Sequence, residues 1–159
     1  MEIKIKKLHP NAVTPSYATD GAACFDLVAA TVAGNQHMGA NVWNGYPITC
    51  GTGLAFEIPA GHAMLIFSRS GHGFKHGVRL ANCIGILDSD YRGEAMVKLT
   101  SDFDDEGADL DDSKAPLFVR PGERIAQAMI LPIERVQFLV ADELSDTERG
   151  EGGFGSTGA

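Results

Sequence analysis

The feature that most constrains the fold is a series of short runs in which apolar residues recur at every second position. Ile3 and Ile5 form the first run, and Leu54, Phe56 and Ile58 form another. This period places alternate side chains on opposite faces of a strand. Further predicted strands cover residues 64–67, 78–80, 84–87, 95–99, 124–131 and 136–140. Glycine, proline, asparagine and aspartate separate the runs and no long stretch keeps a helical period, so we predict an all-β sandwich or barrel.

The length of 159 residues, with 44% hydrophobic residues, suits one domain whose core needs neither disulfides nor a structural metal. No apolar run approaches the roughly 18 residues of a membrane helix. The segment Met1–Lys7 alternates charge with isoleucine and does not read as a signal segment. We therefore expect a cytoplasmic protein without membrane contact. Cys24, Cys50 and Cys83 lack CxxC spacing and are expected to be buried free thiols.

The net charge of −8 argues against a general nucleic-acid binder, because nonspecific affinity comes from Lys and Arg that neutralise phosphates. No direct nucleic-acid binding is expected. Any phosphate site must then be local, and it must combine a few arginines, backbone N–H groups or a divalent cation.

Two segments have no regular pattern, Gly34–Tyr46 and the acidic stretch Ser101–Ser113, and both are predicted to be surface excursions. Counted from Asp102, the acidic stretch partly imitates a calcium loop with Gly107 at its sixth position. Ser113 stands where a bidentate glutamate is needed, so a solvated loop is favoured over a calcium site. A surface for a protein partner is a further alternative for this loop.

Three polar segments are candidates for chemistry. Arg69–Gly71 follows an apolar run, and its arginine, hydroxyl and glycine suit an anion site, although a polar turn has the same composition. In Gly85–Gly93, Asp88 or Asp90 could deprotonate a water and Tyr91 could pack on a ring or sugar; an Asx-turn between strands is the alternative.

The glycine-rich tail at 149–158 contains Arg149, Phe154, Ser156 and Thr157. A linker would explain the glycines but not these four residues. A lid that becomes ordered over a phosphate ligand would bury Phe154 and present the two hydroxyls and the arginine to the ligand. We therefore predict a mobile lid.

Five segments, taken in chain order, resemble the five motifs of the trimeric deoxyuridine triphosphatases, the dUTPases. They are Thr19–Ala29, Arg69–Gly71, Gly85–Gly93, Arg124–Gln127 and Gly152–Gly158. The resemblance implies a distorted jelly-roll subunit that assembles as a homotrimer with active sites at subunit boundaries. Residues 1–148 would form the barrel, and residues 149–159 a flexible arm that crosses to a neighbour's site. The implied reaction is Mg²⁺-assisted hydrolysis of dUTP to dUMP and pyrophosphate, which limits uracil incorporation into DNA and supplies dUMP for thymidylate synthesis.

The resemblance also implies a role for individual residues. Asp88 activates the water that attacks the α-phosphorus, Tyr91 packs on the deoxyribose and excludes a 2′-hydroxyl, and the hairpin around Asn82 reads uracil. Magnesium is held by the phosphates and waters, and Asp26 contacts it at most through water. The residues implied to contact phosphate or base are Arg69, Ser70, Gly71, Gln127, Arg149, Phe154, Gly155, Ser156 and Thr157.

The chain departs from the family pattern near Arg69. Ser68 replaces a common proline, and His72 and Phe74 replace aliphatic or small residues, so a looser local turn is expected. Two other functions stay open. Deoxycytidine triphosphate deaminases share the fold, but their Arg-Ser-Ser motif is missing from this sequence. A regulatory protein that binds a partner through Ser101–Ser113 is the second alternative.

Overall fold

The computed structural model describes residues 1–33, 38–43, 45–103 and 117–153. Within these ranges the chain forms thirteen strands and one short helix, which confirms the all-β prediction. The elements are β1 (Lys4–Lys7), β2 (Ser16–Tyr17), β3 (Phe25–Val28), β4 (Thr31–Val32), β5 (Ala40–Val42), β6 (Ile48–Gly51), β7 (Leu54–Glu57), β8 (His62–Phe67), α1 (Ser70–His76), β9 (Val78–Leu80), β10 (Ile84–Leu87), β11 (Met96–Ser101), β12 (Leu117–Val119) and β13 (Arg124–Pro132).

The strands form two larger antiparallel sheets and two ribbons. The first sheet has the order β10-β8-β13-β3-β2, and the second has the order β4-β6-β11-β9. The ribbons pair β1 with β7 and β5 with β12. Burial alternates along β11, where Val97 and Leu99 lie in the core and Met96 and Lys98 face outward. This alternation is what the period-two apolar runs predict.

A single apolar cluster joins the two larger sheets. The first sheet contributes Leu27, Met64 and Ile125, and the second contributes Leu80 and Leu99, all of them fully buried. Burying an aliphatic side chain of this size stabilises a fold by about 1.5–3 kcal/mol. The core thus fixes the orientation of β3, β8 and β13, the three strands that carry polar residues at their exposed positions.

Most predicted strands are confirmed, including those at 78–80 and 84–87, which coincide with β9 and β10. The predicted strand at 136–140 is wrong for the isolated chain. Val136, Phe138, Leu139 and Val140 are 67–102% exposed, because no described element of the same chain covers them. An alternating apolar segment without a neighbouring strand has the pattern of a strand but not its hydrogen bonds.

The two segments predicted to be surface excursions are more ordered than expected where they are described. Ala40–Val42 forms β5, which pairs with β12 and buries Val42. Ser101 is the buried last residue of β11, and Asp102 accepts bonds from Arg79 Nε at 2.8 and 2.9 Å. Residues 34–37, 44 and 104–116 lie outside the described residues.

Helix α1 stands where a turn was predicted after Arg69. The helix ends at Gly77, whose φ of +61° is a left-handed conformation that glycine adopts without strain. Lys75 and His76 occupy its last turn, next to the negative end of the helix dipole. The sequence signal was missing because the helix has only seven residues and none of them is buried.

The cysteines are free, as expected, but they differ in burial. Cys50 is buried, and burial raises the pKa of its thiol to about 12. Cys83 is exposed, so the expectation of a buried thiol is wrong there. Within the described ranges, no helix has the length and apolarity that a membrane crossing requires.

Candidate active site

The register of the five-stranded sheet brings three predicted segments together. Asp26 of β3 lies opposite Gln127 of β13, and Gln127 lies opposite Phe67 of β8. Residues that face each other on neighbouring antiparallel strands point to the same side of the sheet. Arg69 follows β8 directly, so the first, second and fourth motif segments meet at one edge, which we call the arginine edge (Asp26, Ser68, Arg69, Arg124 and Gln127).

The Asp26 carboxylate connects two arginines at this edge. Arg69 Nε lies 3.4 Å from Oδ1, and Arg124 Nη1 donates to Oδ2 at 3.1 Å. The side chain of Asp26 is 19% exposed and that of Arg69 is 23% exposed. Two guanidinium groups and one carboxylate leave an excess positive charge, and a guanidinium presents paired donors to phosphate oxygens. The arginine edge is therefore suited to bind an anion in spite of the chain's net charge.

Arg124 reaches Asp26 because β13 contains a bulge. The pairing of β13 with β3 shifts between Arg124 and Ala126, so Ile125 is an additional residue in the strand. In a regular strand Arg124 and Gln127 would face opposite sides, because they are three positions apart. The sequence interpretation did not assign Arg124 a role. Two adjacent apolar residues between Arg124 and Gln127 were the signal, since both are buried.

Ser68 and Gln127 hold the end of β8 in position. Gln127 Nε2 donates to the Ser68 carbonyl at 3.1 Å, and the Leu80 amide donates to Ser68 Oγ at 2.9 Å. The expectation of a looser turn at Ser68 is therefore wrong, because the serine hydroxyl ties this turn to β9. The turn borders a cavity of about 410 Å³ that Arg69, Ser70 and Gln127 help to line.

His72, on the first turn of α1, contacts Arg69. Its Nε2 lies 3.1 Å from Arg69 Nη1, which also donates to the Arg124 carbonyl at 3.2 Å. Burial lowers the pKa of His72 to about 4, and the charges of Arg69, His76 and Arg124 lower it further. Among the described residues, the buried Nδ1 of His72 has no hydrogen-bond partner.

The third motif segment forms a turn after β10. The Tyr91 amide donates to the Asp88 carbonyl at 3.2 Å, and the Tyr91 hydroxyl donates to the Glu94 carbonyl at 3.2 Å. A side chain at Gly93 would collide with the Tyr91 ring, so glycine is required where the chain passes this ring. The Asp88 side chain is exposed, as the role of a water-activating carboxylate requires.

Asp88 and Arg69 do not meet within one chain. Ile84 pairs with Phe67 and Leu87 with Met64, so β10 runs antiparallel to β8. Arg69 lies two residues beyond Phe67, and Asp88 lies beyond Leu87 at the opposite end of the pair. At about 3.3 Å per residue the two positions are roughly 15–20 Å apart along the strands. The hairpin residue Asn82 lies at the Arg69 end, where its Nδ2 donates to the Ile84 carbonyl at 3.0 Å.

The described part of the tail forms a local turn. Arg149 Nε donates to the Gly152 carbonyl at 2.7 Å, and both residues are remote from β8 and β13 in the sequence. Phe154, Gly155, Ser156 and Thr157 lie outside the described residues. The prediction that residues 149–158 form a lid therefore stays a prediction.

A larger cavity of about 700 Å³ lies elsewhere, between β1 and β13. Its lining is apolar and includes Ile3, Ile5, Phe25 and Leu131, with no charged side chain. A phosphate ligand needs donors and positive charge. The smaller cavity at the arginine edge is therefore the better candidate for the site.

The fold and the arginine edge define an all-β protein with an anion-binding site. The family model described as dUTPase matches residues 10–158, almost the whole chain. The chain therefore belongs to the dUTPase family.

Relatives and solved structures agree with this assignment. The deoxyuridine 5'-triphosphate nucleotidohydrolase of Nautilia profundicola is 43% identical over 99% of both chains. The enzyme of that name from Burkholderia cenocepacia strain HI2424 is 37% identical over 99% of this chain and 97% of its own length. The structure of Staphylococcus bacteriophage 80alpha dUTPase with dUPNHPP is similar at a TM-score of 0.80 and 27% identity, with 99% of both chains covered.

Proposed function

We propose that this protein hydrolyses dUTP to dUMP and pyrophosphate. The observation that carries the proposal is the arginine edge, because three segments distant in the sequence combine there into an anion site. Membership of the dUTPase family identifies the anion as the triphosphate of a deoxyuridine nucleotide. The relatives named above carry the corresponding enzyme name over nearly their whole length.

In the proposed reaction, Asp88 takes a proton from the water that attacks the α-phosphorus. A bond forms between the water oxygen and the α-phosphorus, and the bond to the oxygen bridging the α- and β-phosphorus breaks, so pyrophosphate leaves. Arg69, Ser70, Gly71 and Gln127 contact the phosphates. The turn of the third segment supports this assignment, because it leaves the Asp88 carboxylate exposed to water.

Tyr91 and Asn82 would select the nucleoside. The Tyr91 ring is fixed by its bond to the Glu94 carbonyl and by its close approach to Gly93, so it can exclude a 2′-hydroxyl sterically. Asn82 lies in the tight turn between β9 and β10, where polar backbone and side-chain groups could read the uracil edge.

The separation of Asp88 from Arg69 supports a site built by two subunits, as in a homotrimer. Further support comes from the exposed apolar residues of the isolated chain. Ile84 and Ile86 project from β10 at the edge of the sheet, and Val136, Phe138 and Val140 project from the segment after β13. Apolar surface of this extent commonly marks an interface.

Magnesium fits the site as a companion of the phosphates. Both Asp26 oxygens already accept from arginines, but a carboxylate oxygen has two acceptor positions, so Asp26 could also accept from a metal-bound water. When bound, Mg²⁺ would neutralise phosphate charge. The dUTPase of phage phi11, which shares the fold at a TM-score of 0.74, coordinates a structural Mg(II) ion.

The proposed organisation is a barrel over residues 1–148 and an arm over residues 149–159. Arg149, Phe154, Gly155, Ser156 and Thr157 would close over the phosphates and the base, and closure would exclude bulk water. A protein partner for Ser101–Ser113 is a separate prediction. Asp102, at its start, is held by Arg79 and would fix one end of that loop.

Nucleotide selectivity tests the proposal. Purified protein with Mg²⁺ should release pyrophosphate from dUTP much faster than from dTTP, dCTP or UTP. Equal rates with all four nucleotides would contradict the assigned specificity. Ammonia release from dCTP would favour the deaminase alternative.

A further inference from the structure

Three acceptors from separate elements converge on the Arg69 guanidinium. The Asp26 carboxylate on β3 faces Nε at 3.4 Å, the Arg124 carbonyl on β13 accepts from Nη1 at 3.2 Å, and His72 Nε2 on α1 lies 3.1 Å from Nη1. These contacts use Nε and Nη1, and Nη2 is the donor nitrogen that they do not use. The guanidinium is thereby oriented on one side and has a remaining edge for an anion.

We propose that His72 is a positioning residue for Arg69. Its neutral imidazole accepts a hydrogen bond from Arg69 Nη1 at Nε2 and holds the guanidinium toward the phosphates of the substrate. The inference rests on the proposed function for the identity of the phosphate ligand, but the contact itself does not depend on it.

The chemistry of the pair fixes the tautomer of His72. An arginine side chain has only donors, so Nε2 must be the acceptor and the proton of the neutral ring must lie on Nδ1. Nδ1 is buried and has no hydrogen-bond partner among the described residues. An unpaired buried N–H is unfavourable. The ring therefore keeps this orientation at a cost, which the contact with Arg69 offsets.

The surroundings of His72 keep the ring neutral. Arg69, His76 and Arg124 oppose a second proton and Glu123 favours one, while burial opposes it most strongly and the pKa falls to about 4. A protonated ring would have no acceptor for Arg69 and would repel it. Near neutral pH the acceptor is therefore always present.

Two substitutions separate this role from a purely structural one. His72→Leu keeps a side chain of helical propensity but removes the acceptor, whereas His72→Gln presents an amide oxygen near the position of Nε2. Lys75→Gln, at an exposed position of the same helix, is the control. We expect His72→Leu to raise the Kd for inorganic pyrophosphate and the KM for dUTP roughly three- to tenfold. His72→Gln and Lys75→Gln should stay within about twofold of the wild type on the same measures.

A combined variant tests whether the effect runs through Arg69. Adding His72→Leu to Arg69→Lys should weaken pyrophosphate binding less than it does in the wild type, because the bonded partner is already changed. Equal losses in the two backgrounds would overturn the proposal. Equal losses in His72→Leu and His72→Gln would also overturn it.

The tautomer gives a readout that is independent of catalysis. Nitrogen-15 NMR of the imidazole at pH 7 should show His72 with its proton on Nδ1, whereas a free histidine favours Nε2. A proton on Nε2 or on both nitrogens would refute the positioning role. If the Nδ1 proton is found and the wild type does not hydrolyse dUTP, the proposed function fails and the His72–Arg69 contact stands.

Discussion

Asp88 and Arg69 lie at opposite ends of the antiparallel strands β10 and β8, because Leu87 pairs with Met64 and Ile84 pairs with Phe67. The carboxylate proposed to activate water and the arginine proposed to bind phosphate therefore belong to two separate surfaces of the subunit. A triphosphate cannot bridge them within one chain. Two predictions below use this separation, and the others concern the arm and His72.

Asp88→Asn should abolish turnover and leave binding intact. The amide has nearly the shape of the carboxylate but cannot accept the proton of the attacking water, and general-base catalysis typically contributes about 10²–10⁴ in rate. Turnover of dUTP should therefore fall at least about 100-fold, while the Kd for dUPNHPP changes little. Asp90→Asn is the matched control, because Asp90 is also exposed and lies in the same turn. Near-normal turnover in Asp88→Asn would remove it from the proposed role.

Removal of residues 149–159 should reduce catalysis without unfolding the barrel. The buried cluster contains no residue beyond Ala128, so the thermal midpoint of unfolding should be unchanged. Loss of donors that face the transition state costs about 10²–10³ in rate for each donor. Turnover by the chain ending at Glu148 should fall at least about 100-fold, as measured by pyrophosphate release. Full activity of the shortened chain would exclude the lid.

The sequence predicted most of the fold, since the apolar runs that became β7, β8, β9, β10 and β13 find partners within the same chain. Its failure at 136–140 has a physical reason, because an alternating pattern specifies a strand only where a neighbouring strand is available. Helix α1 was missed because it buries no side chain and so has no apolar period.

The candidate site was predictable in its residue types but not in its geometry. The segments containing Asp26, Arg69 and Gln127 were identified, yet the role of Arg124 depends on a bulge at Ile125 that alternation alone does not predict. The contact between His72 and Arg69 depends on the unexpected helix, which turns the imidazole back toward the residue that precedes α1.

The stability of the protein should depend on pH through His72. Its pKa is about 4 in the folded chain, below the ordinary value of 6.5 that it regains on unfolding. The unfolded chain then binds more protons between these values, so the free energy of unfolding falls as the pH is lowered from about 6.5 to about 4. His72→Leu lacks this contribution. Urea denaturation at pH 7, 5.5 and 4, at fixed protein concentration, should show the leucine variant gaining stability relative to the wild type as the pH falls. A constant difference would contradict the lowered pKa.

Mixed trimers should test directly whether two subunits share each site. Arg69→Ala and Asp88→Asn should each be inactive as homotrimers, but a mixed trimer contains boundaries at which an intact Asp88 from one subunit faces an intact Arg69 from another. Random mixing of equal amounts should restore about a quarter of the wild-type sites. The matched control is a mixture of Arg69→Ala and Gln127→Ala. Arg69 and Gln127 lie on the same edge of one subunit, where both contact groups of the Ser68–Arg124 region, so no subunit in that mixture has a complete arginine edge. Co-expression with two affinity tags, followed by dUTP turnover assays, distinguishes the cases. Recovery in the first mixture alone would establish a shared site, and recovery in neither would mean that each subunit builds its site by itself.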